Sequence, residues 1–271
     1  MSTGNFEGIA VIGAGNLGVA ITEGLLASEL VAPERIVATR RRVELLDELA
    51  ERGVRTTDDN VEAVRGSDLV LICVQPQQLD PILDQISGEL DPASQVVVST
   101  VSGATVAAMR EHLGGEIPIV RAMPNLGIAI RESMTCLAAD EQSMDAVARA
   151  REVFETVGEC ALIQEELMIP ATALAACGVA FFLRAIRAAA QGGTEIGFHA
   201  DEAIRMAAQT AKGAADLVLT HGTHPETEID KVTTPKGCTI AGLNEMENRG
   251  FSSAMIRGII LSAERADELY E

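Results

Sequence analysis

The chain has 271 residues and a formal net charge of −19, from 21 lysines and arginines against 40 aspartates and glutamates. A surface of this charge repels nucleic acids and anionic membranes, so we expect neither as a partner. Although 47% of the residues are apolar, we find no run approaching the ~18–20 apolar residues that a membrane span requires. The N-terminus has neither a basic leader nor a long apolar segment, and we expect no signal peptide.

Five cysteines are dispersed along the chain without a Cys-x-x-Cys pair. This spacing argues against a zinc site and a disulfide framework, and it is typical of a reducing cytoplasm. We therefore expect a cytoplasmic protein without a metal. Only three of the basic residues are lysines (Lys212, Lys231 and Lys236). The acid-rich, lysine-poor composition indicates either adaptation to a salt-rich cytoplasm or an ordinary acidic bacterial protein.

The first part of the chain alternates strand and helix patterns. Apolar runs that predict strands lie at 6–12, 35–39, 69–74, 95–101 and 117–122, with two shorter runs at 134–138 and 160–163. Helical patterns separate them at 16–30, 43–52 and 143–157. Continuous apolar strands separated by helices indicate a parallel sheet covered on both faces. We predict an α/β fold whose residues 1–164 form a Rossmann-type doubly wound sheet.

Strand patterns fade in the second part, residues 165–271. Helical patterns occupy 165–191, 201–220, 239–248 and 252–270. Alanine and other small residues lie on several faces of these helices, which indicates burial against other helices. Because such helices make only a thin core alone, we predict an all-α domain through which the chain forms a homodimer.

A glycine-rich segment at 13–18, Gly-Ala-Gly-Asn-Leu-Gly, joins the first predicted strand to the first predicted helix. In a dinucleotide-binding turn the first glycine allows the tight turn and the second lets the backbone approach the pyrophosphate; the third lets helix and strand pack closely. The N–H groups that begin the helix bind the phosphate. The predicted cofactor residues here are Gly13, Gly15, Asn16, Leu17 and Gly18. The alternative is a glycine-rich turn without a ligand.

Three arginines stand where an NAD-specific domain would carry an acid. The acidic residue that binds the ribose hydroxyls of NAD lies about 20 positions after the glycines. That position falls near Thr39, which is followed by Arg40, Arg41 and Arg42. Guanidinium groups form bidentate pairs with phosphates. We predict that Arg40 and Arg41 bind the 2′-phosphate of NADPH, with NADH left open as a second cofactor; the alternative is a solvated helix start.

The turn Val74-Gln75-Pro76 follows the clearest buried strand pattern, Leu-Val-Leu-Ile-Cys-Val at 69–74. Ligands of open parallel sheets bind at the carboxyl ends of the strands. We expect Val74, Gln75 and Pro76 to line the cofactor site. The alternative is a plain connection from strand to helix.

Four segments resemble the Δ1-pyrroline-5-carboxylate reductase family, and the resemblance extends over nearly the whole length of the chain. They are Ile-Gly-Ala-Gly-Asn-Leu-Gly at 12–18, Val-Gln-Pro-Gln at 74–77, Arg-Ala-Met-Pro-Asn at 121–125 and Val-Thr-Thr-Pro-Lys-Gly-Cys-Thr at 232–239. The last is the most specific, since it is similar to the family signature Ser/Thr-Pro-Gly-Gly-x-Thr. The stretch Ala-Gln-Thr at 208–210 also resembles the family's dimer helix.

The resemblance implies a Rossmann domain and a helical dimerisation domain with interlocked subunits, which in some members assemble into rings of dimers. It implies reduction of a cyclic imine, Δ1-pyrroline-5-carboxylate, to L-proline by NAD(P)H, the last step of proline biosynthesis. It implies an active site between the cofactor of one subunit and the helices of the other, and it adds Asn125 to the cofactor-binding residues.

The segment 232–239 also gives a physical reason for a substrate site. Pro235 and Gly237 form a turn, and Cys238 or Thr239 starts a helix whose free N–H groups can bind a carboxylate. The Thr239 hydroxyl can hydrogen-bond the ring nitrogen or the carboxylate. Similarity to the family points to the same positions. We predict Thr239 as the catalytic residue, and Thr234, Gly237, Cys238 and Thr239 as substrate-binding residues, the alternative being a capped helix start.

The chain departs from the family pattern at three places. It has Val-Gln-Pro at 74–76 where Val-Lys-Pro is usual, Asn-Leu-Gly at 125–127 where Asn-Thr-Pro is usual, and Ala-Cys-Gly-Val at 176–179 where Gly-Ser-Gly-Pro is usual. These differences leave two alternatives open. One is an NADPH-dependent reductase of another cyclic imine, and the other is a catalytically silent NADPH-binding regulatory protein.

Overall fold

The computed structural model describes residues 6–268, and these residues form two compact units. The first contains the described residues through Ala176, together with the end of the last helix from Ala263. The second contains Cys177–Ser262. All the strands of the described residues lie in the first unit, and the second is helical.

One eight-stranded sheet forms the centre of the first unit, with strand order β3-β2-β1-β4-β5-β6-β7-β8. The strands are β1 (Ile9–Ile12), β2 (Ile36–Thr39), β3 (Arg55–Thr57), β4 (Leu69–Ile72), β5 (Val96–Ser99), β6 (Ile119–Met123), β7 (Ser133–Ala139) and β8 (Gly158–Leu162). Every pair is parallel except β6 with β7. The predicted doubly wound sheet is confirmed.

Helices cover both faces of this sheet. They are α1 (Asn16–Ser28), α2 (Asp47–Glu51), α3 (Asn60–Val64), α4 (Leu79–Ile86), α5 (Val106–Leu113), α6 (Val147–Phe154) and α7 (Met168–Ala171). Alternate residues of β1 belong to different apolar clusters: Ile9 and Val11 to one, Ala10 and Ile12 to the other. Because neither face of such a strand contacts solvent, its sequence is a continuous apolar run.

The start of the helical half belongs to the first unit, although the sequence places the domain boundary between positions 164 and 165. Met168 of α7 is buried in one cluster with Met123 and Ala138 of the sheet. Glu165 forms an ion pair with Arg121 of β6 at 3.0 Å. Apolar burial and this ion pair tie the segment to the sheet, so the compact unit extends beyond the predicted boundary.

The second unit is built from α8 (Gly178–Glu195), α9 (Ala200–His221), α10 (Pro225–Val232), α11 (Cys238–Asn248) and most of α12 (Phe251–Glu268). Helices α8 and α9 approach closely at Gly193. A Cβ added to this glycine would lie only 3.1 Å from the Cβ of Ala203. The sequence patterns do not predict helix α10, because its eight residues are too few to show a clear helical periodicity. The predicted end of the last helix at Tyr270 lies outside the described residues.

The helical stretch Glu165–Glu195 corrects one expectation. By length and composition it is apolar enough to cross a membrane, so the expectation that no run approaches this length is wrong. Arg184 and Arg187 interrupt the run, and a search for consecutive apolar residues therefore misses it. Large apolar side chains on α8 are exposed, among them Phe182 and Leu183.

Candidate active site

The three glycines of the turn between β1 and α1 have different surroundings. Gly13 has φ +82°, and a Cβ there would lie 2.3 Å from Val74 Cγ1. A Cβ at Gly18 would lie 3.1 Å from Val11 Cγ1. At Gly15 the nearest atom to a Cβ is a carbonyl oxygen 4.0 Å away. Packing and the positive φ therefore require glycine at 13, and packing disfavours a larger residue at 18, whereas the open space at Gly15 is suited to the close approach of a ligand.

The first turn of α1 offers N–H groups for an anion. Asn16 and Leu17 begin the helix, and its N-cap is Gly15, which supplies no side-chain cap. The first N–H groups of a helix have no partner within the helix. Together with the helix dipole, they make this turn a site that fits the pyrophosphate of a dinucleotide.

A cleft of about 650 Å³ opens beside this turn, at the carboxyl ends of β1, β2 and β4. Its volume lies in the range of small-molecule sites. Five of the predicted cofactor residues line it: Gly13, Gly15, Arg41, Val74 and Gln75. Thr39, Asp58, Asn60 and Gln85 line it as well. Pro76 begins the 3₁₀ turn Pro76–Gln78 that follows Gln75.

A chain of hydrogen bonds holds the glycine turn in place. The Gly13 N–H donates to Thr39 Oγ1 at 3.1 Å, and the Thr39 hydroxyl donates to Asn60 Oδ1 at 2.7 Å. The Asn60 amide in turn donates to Gln85 Oε1 at 3.0 Å. The turn is therefore held by side chains from β2, α3 and α4, which places its N–H groups before any ligand binds.

The three consecutive arginines follow β2 at the rim of the cleft. The Arg40 backbone N–H donates to the Thr57 carbonyl of β3 at 3.1 Å. Arg41 lines the cleft, and Arg40, Arg41 and Arg42 together surround a neighbouring hollow of about 470 Å³. This grouping of guanidinium side chains fits a phosphate next to the cleft.

Cys73 lies where β4 enters the cleft. Burial raises the pKa of its thiol to about 12, and a hydrogen bond to Thr100 opposes this rise in part. The thiol is therefore protonated at neutral pH, and a protonated thiol is a poor nucleophile. Cys73 forms a wall of the cleft and is not a reactive group.

Asn125 is not among the residues that line the cleft. Its side-chain oxygen accepts a hydrogen bond from the Gly127 N–H at 2.9 Å, and its amide donates to the Ala175 carbonyl at 3.2 Å. Ala175 lies in a π-helical turn, Thr172–Ala176. These bonds give Asn125 a structural role in the first unit, and cofactor binding by this residue stays a prediction.

The predicted substrate residues lie in the second unit, at the start of α11. The Gly237 N–H donates to the Thr234 carbonyl at 2.9 Å, which closes the turn. A Cβ at Gly237 would lie 2.6 Å from Thr234 Oγ1, so glycine is required there. Gly237 is also the N-cap, and no side chain caps the helix. Cys238 is exposed and Thr239 is half-buried in the first turn.

Lys236 is the unusual residue of this turn. It stands at the first glycine of the family signature, which is a fourth departure from the family pattern, and it has φ +60°. This left-handed region disfavours residues with a Cβ. The turn therefore keeps the backbone conformation that glycine would adopt, even though the chain has a lysine there.

The sequence patterns miss Thr39, Asp58, Asn60 and Gln85. Asp58 follows β3 and Asn60 begins α3, two elements of three and five residues that are too short for a clear periodicity, and Gln85 lies within the eight-residue helix α4. Parallel pairing of β3 with β2 brings their ends together, in the register Thr39 with Thr57. Only this pairing across the sheet shows that residues 58 and 60 face the same cleft as the arginines.

Two protein-family models match the chain. Residues 8–103 match NADP oxidoreductase, coenzyme F420-dependent, and residues 165–269 match pyrroline-5-carboxylate reductase dimerisation. The first range contains the glycine turn, the arginines and the cleft. The second contains the Thr234–Thr239 turn and the apolar helices. The chain thus combines an N-terminal NADP-binding domain with a C-terminal helical dimerisation domain.

Relatives of known family match nearly the whole chain. Pyrroline-5-carboxylate reductase 1 of Dictyostelium discoideum is 50% identical over 97% of this chain, which spans 50% of that relative's length. Pyrroline-5-carboxylate reductase 2 of the same organism is 46% identical, covering 97% of this chain and 93% of the relative. A solved pyrroline-5-carboxylate reductase of Coxiella burnetii has 28% identity and a TM-score of 0.93, covering 98% of this chain and 100% of that one. The chain belongs to the pyrroline-5-carboxylate reductase family.

Proposed function

We propose that the protein catalyses the NADPH-dependent reduction of Δ1-pyrroline-5-carboxylate to L-proline, the last step of proline biosynthesis. The observation that carries this proposal is the uncapped first turn of α11 with Thr239, in a chain whose other unit has a dinucleotide cleft. The turn provides N–H donors for a small carboxylate, and the cleft provides the place for a hydride donor.

The reaction needs positioning more than acid–base chemistry. NADPH, when bound, supplies a hydride to the imine carbon and becomes NADP⁺; the protonated imine becomes the secondary amine. The chain's part is to hold the two rings in line at about 3–3.5 Å. The N–H groups around Gly237–Thr239 bind the carboxylate, and the Thr239 hydroxyl binds the ring nitrogen as the catalytic residue. Thr234 and Cys238 complete the substrate-binding turn.

The test is oxidation of NADPH with Δ1-pyrroline-5-carboxylate as substrate. We expect turnover by the natural protein, and loss of kcat/KM on the order of tenfold or more in Thr239→Ala, because a hydrogen bond to a charged group is worth ~1.5–3 kcal/mol. Thr239→Ser, which keeps the hydroxyl, should retain most of the activity. Thr227→Ala on the exposed face of α10 is the control.

The outcomes separate the alternatives. An unchanged kcat/KM in Thr239→Ala would remove Thr239 from the mechanism. Faster turnover of a six-membered cyclic imine would assign the enzyme to another substrate. Tight NADPH binding without turnover of either ring would identify a regulatory protein that binds the cofactor.

NADPH preference depends on the arginines after β2. Arg41→Ala should lower kcat/KM with NADPH by about tenfold relative to NADH, because a guanidinium–phosphate pair is a strong charge-assisted hydrogen bond. Arg40→Ala should act in the same direction. Arg205→Ala, an exposed arginine of α9, is the control. Equal efficiency with the two cofactors in both the natural protein and Arg41→Ala would contradict this assignment.

Assembly and location complete the proposal. The matched dimerisation model and the exposed apolar side chains of α8 support a homo-oligomer that acts on a small molecule. We propose an intertwined dimer, a ring of such dimers as its larger form, and a cytoplasmic location. A mass measured by light scattering tests the assembly, since a monomer at micromolar concentration would contradict it.

A further inference from the structure

Asp58 stands at the rim of the cofactor cleft together with Arg41. Thr39 of β2 and Thr57 of β3 are register partners in the sheet, and the Arg40 N–H donates to the Thr57 carbonyl. Adjacent strands in a sheet lie about 4.8 Å apart. The carboxyl ends of β2 and β3 therefore lie side by side. The three arginines follow β2, and Asp58 follows β3. Both Arg41 and Asp58 line the cleft.

Neither charged side chain has a partner in the part of the chain that the structure describes. Among residues 6–268, no hydrogen bond or ion pair involves the side chain of Arg41 or of Asp58. The next residue, Asp59, is engaged instead: it accepts hydrogen bonds from the Val61 and Glu62 N–H groups as the N-cap of α3. The carboxylate of Asp59 is therefore occupied by capping α3. The carboxylate of Asp58 has no partner in the described structure and is free for a ligand in the cleft.

The two charges favour opposite forms of the dinucleotide. The end of β2 is where a doubly wound domain holds the adenosine ribose, and the end of β3 lies beside it in this sheet. A 2′-phosphate is attracted by Arg41 and repelled by a carboxylate. A ribose with free 2′- and 3′-hydroxyls instead donates to a carboxylate, as the acidic residue of NAD-specific domains shows.

We propose that Asp58 is a specificity-determining residue, which binds the adenosine ribose hydroxyls of NADH and so allows the cleft to accept NADH beside NADPH. This inference rests on the proposed function, since it concerns the same cofactor site. The acid comes from the end of β3 and not from the end of β2, where the sequence pattern shows only arginines.

The experiment is calorimetric titration of the full-length protein with NAD⁺ and with NADP⁺. In Asp58→Asn we expect NAD⁺ to bind about tenfold more weakly, because a charge-assisted hydrogen bond is lost. NADP⁺ should bind about threefold more tightly, because an exposed like charge is removed. Molar KCl should reduce this gain for NADP⁺ through screening. Asp47→Asn, an exposed acid at the start of α2 outside the cleft, is the matched control.

The unfolding midpoint of each variant shows whether a change in cofactor affinity comes from the binding site or from a loss of folding stability. Unchanged affinity for NAD⁺ in Asp58→Asn would overturn the inference, as would a parallel loss of affinity for both cofactors. Suppose that the natural protein binds NADP⁺ and reduces the imine, and that Asp58→Asn has the same ratio of NAD⁺ affinity to NADP⁺ affinity as the natural protein. In that case only this inference fails. If it binds neither dinucleotide, the proposed function fails with it.

Discussion

Replacing Gly13 with alanine should strongly weaken dinucleotide binding and also destabilise the protein before any ligand is added. The new Cβ would lie 2.3 Å from Val74 Cγ1 and 3.1 Å from the Cys73 carbonyl, at a φ of +82°. The left-handed backbone alone costs about 1–2 kcal/mol for a residue with a Cβ. The turn must shift to relieve these contacts, and its hydrogen bond to Thr39 shifts with it. We expect NADP⁺ affinity to fall by about 100-fold, or roughly 2.7 kcal/mol.

Gly15→Ala is the matched comparison for Gly13→Ala. A Cβ there meets no atom nearer than 4.0 Å, so the unfolding midpoint without ligand should stay close to that of the natural protein. Affinity for NADP⁺ should still fall, because the Cβ occupies the space of the ligand. Titration calorimetry and chemical unfolding of both variants measure the two effects separately. An intact cofactor affinity in Gly15→Ala would place the pyrophosphate elsewhere.

Removal of the Glu165 carboxylate should cost about 2–4 kcal/mol of unfolding free energy, near the range for breaking a buried ion pair. Its partner Arg121 has a side chain only 7% exposed, and the N···O distance is 3.0 Å. The same oxygen accepts the Val106 N–H at the start of α5, at 2.8 Å. Glu165→Ala therefore leaves a buried guanidinium and a helix N–H without their partner. Chemical unfolding measures the loss.

Glu166→Ala provides the control for Glu165→Ala. The neighbouring glutamate is exposed, and substitutions at such surface positions usually change stability by less than about 0.5 kcal/mol. The double variant Arg121→Met with Glu165→Leu should recover much of the loss, because an apolar pair leaves no charge unpaired. Equal stability of Glu165→Ala and Glu166→Ala would show that the ion pair does not hold this segment to the sheet.

Local patterns are sufficient to predict the glycine turn and the sheet around it. Strands such as β1 and β4 are buried on both faces, so their sequences are continuous apolar runs. The glycine turn lies within a single strand–turn–helix unit, in which Gly13 has a φ of +82° and a Cβ at Gly18 would lie 3.1 Å from Val11 Cγ1. Features that depend on neighbours in the sequence could therefore be predicted without the structure.

Other parts of the site could not be predicted in this way. Asp58 and Asn60 follow β3, which is too short for a recognisable pattern. The carboxylate of Glu165, expected only in a helix, accepts from α5 and pairs with β6 across long separations in the sequence. Such contacts depend on strand order and on packing, which no local spacing reveals.

The sequence by itself was sufficient to predict the glycine turn, the arginines after β2 and the turn at 234–239 as candidate binding residues, because each is a continuous segment whose residue types suit one chemistry. Only the tertiary structure decided which residues stand beside them. It brought Asp58 into the cleft of Arg41 by pairing β3 with β2, and it assigned the start of the helical half to the sheet through Met168. The physical reason is that burial and hydrogen bonding act between residues close in space, whereas patterns are read between residues close along the chain.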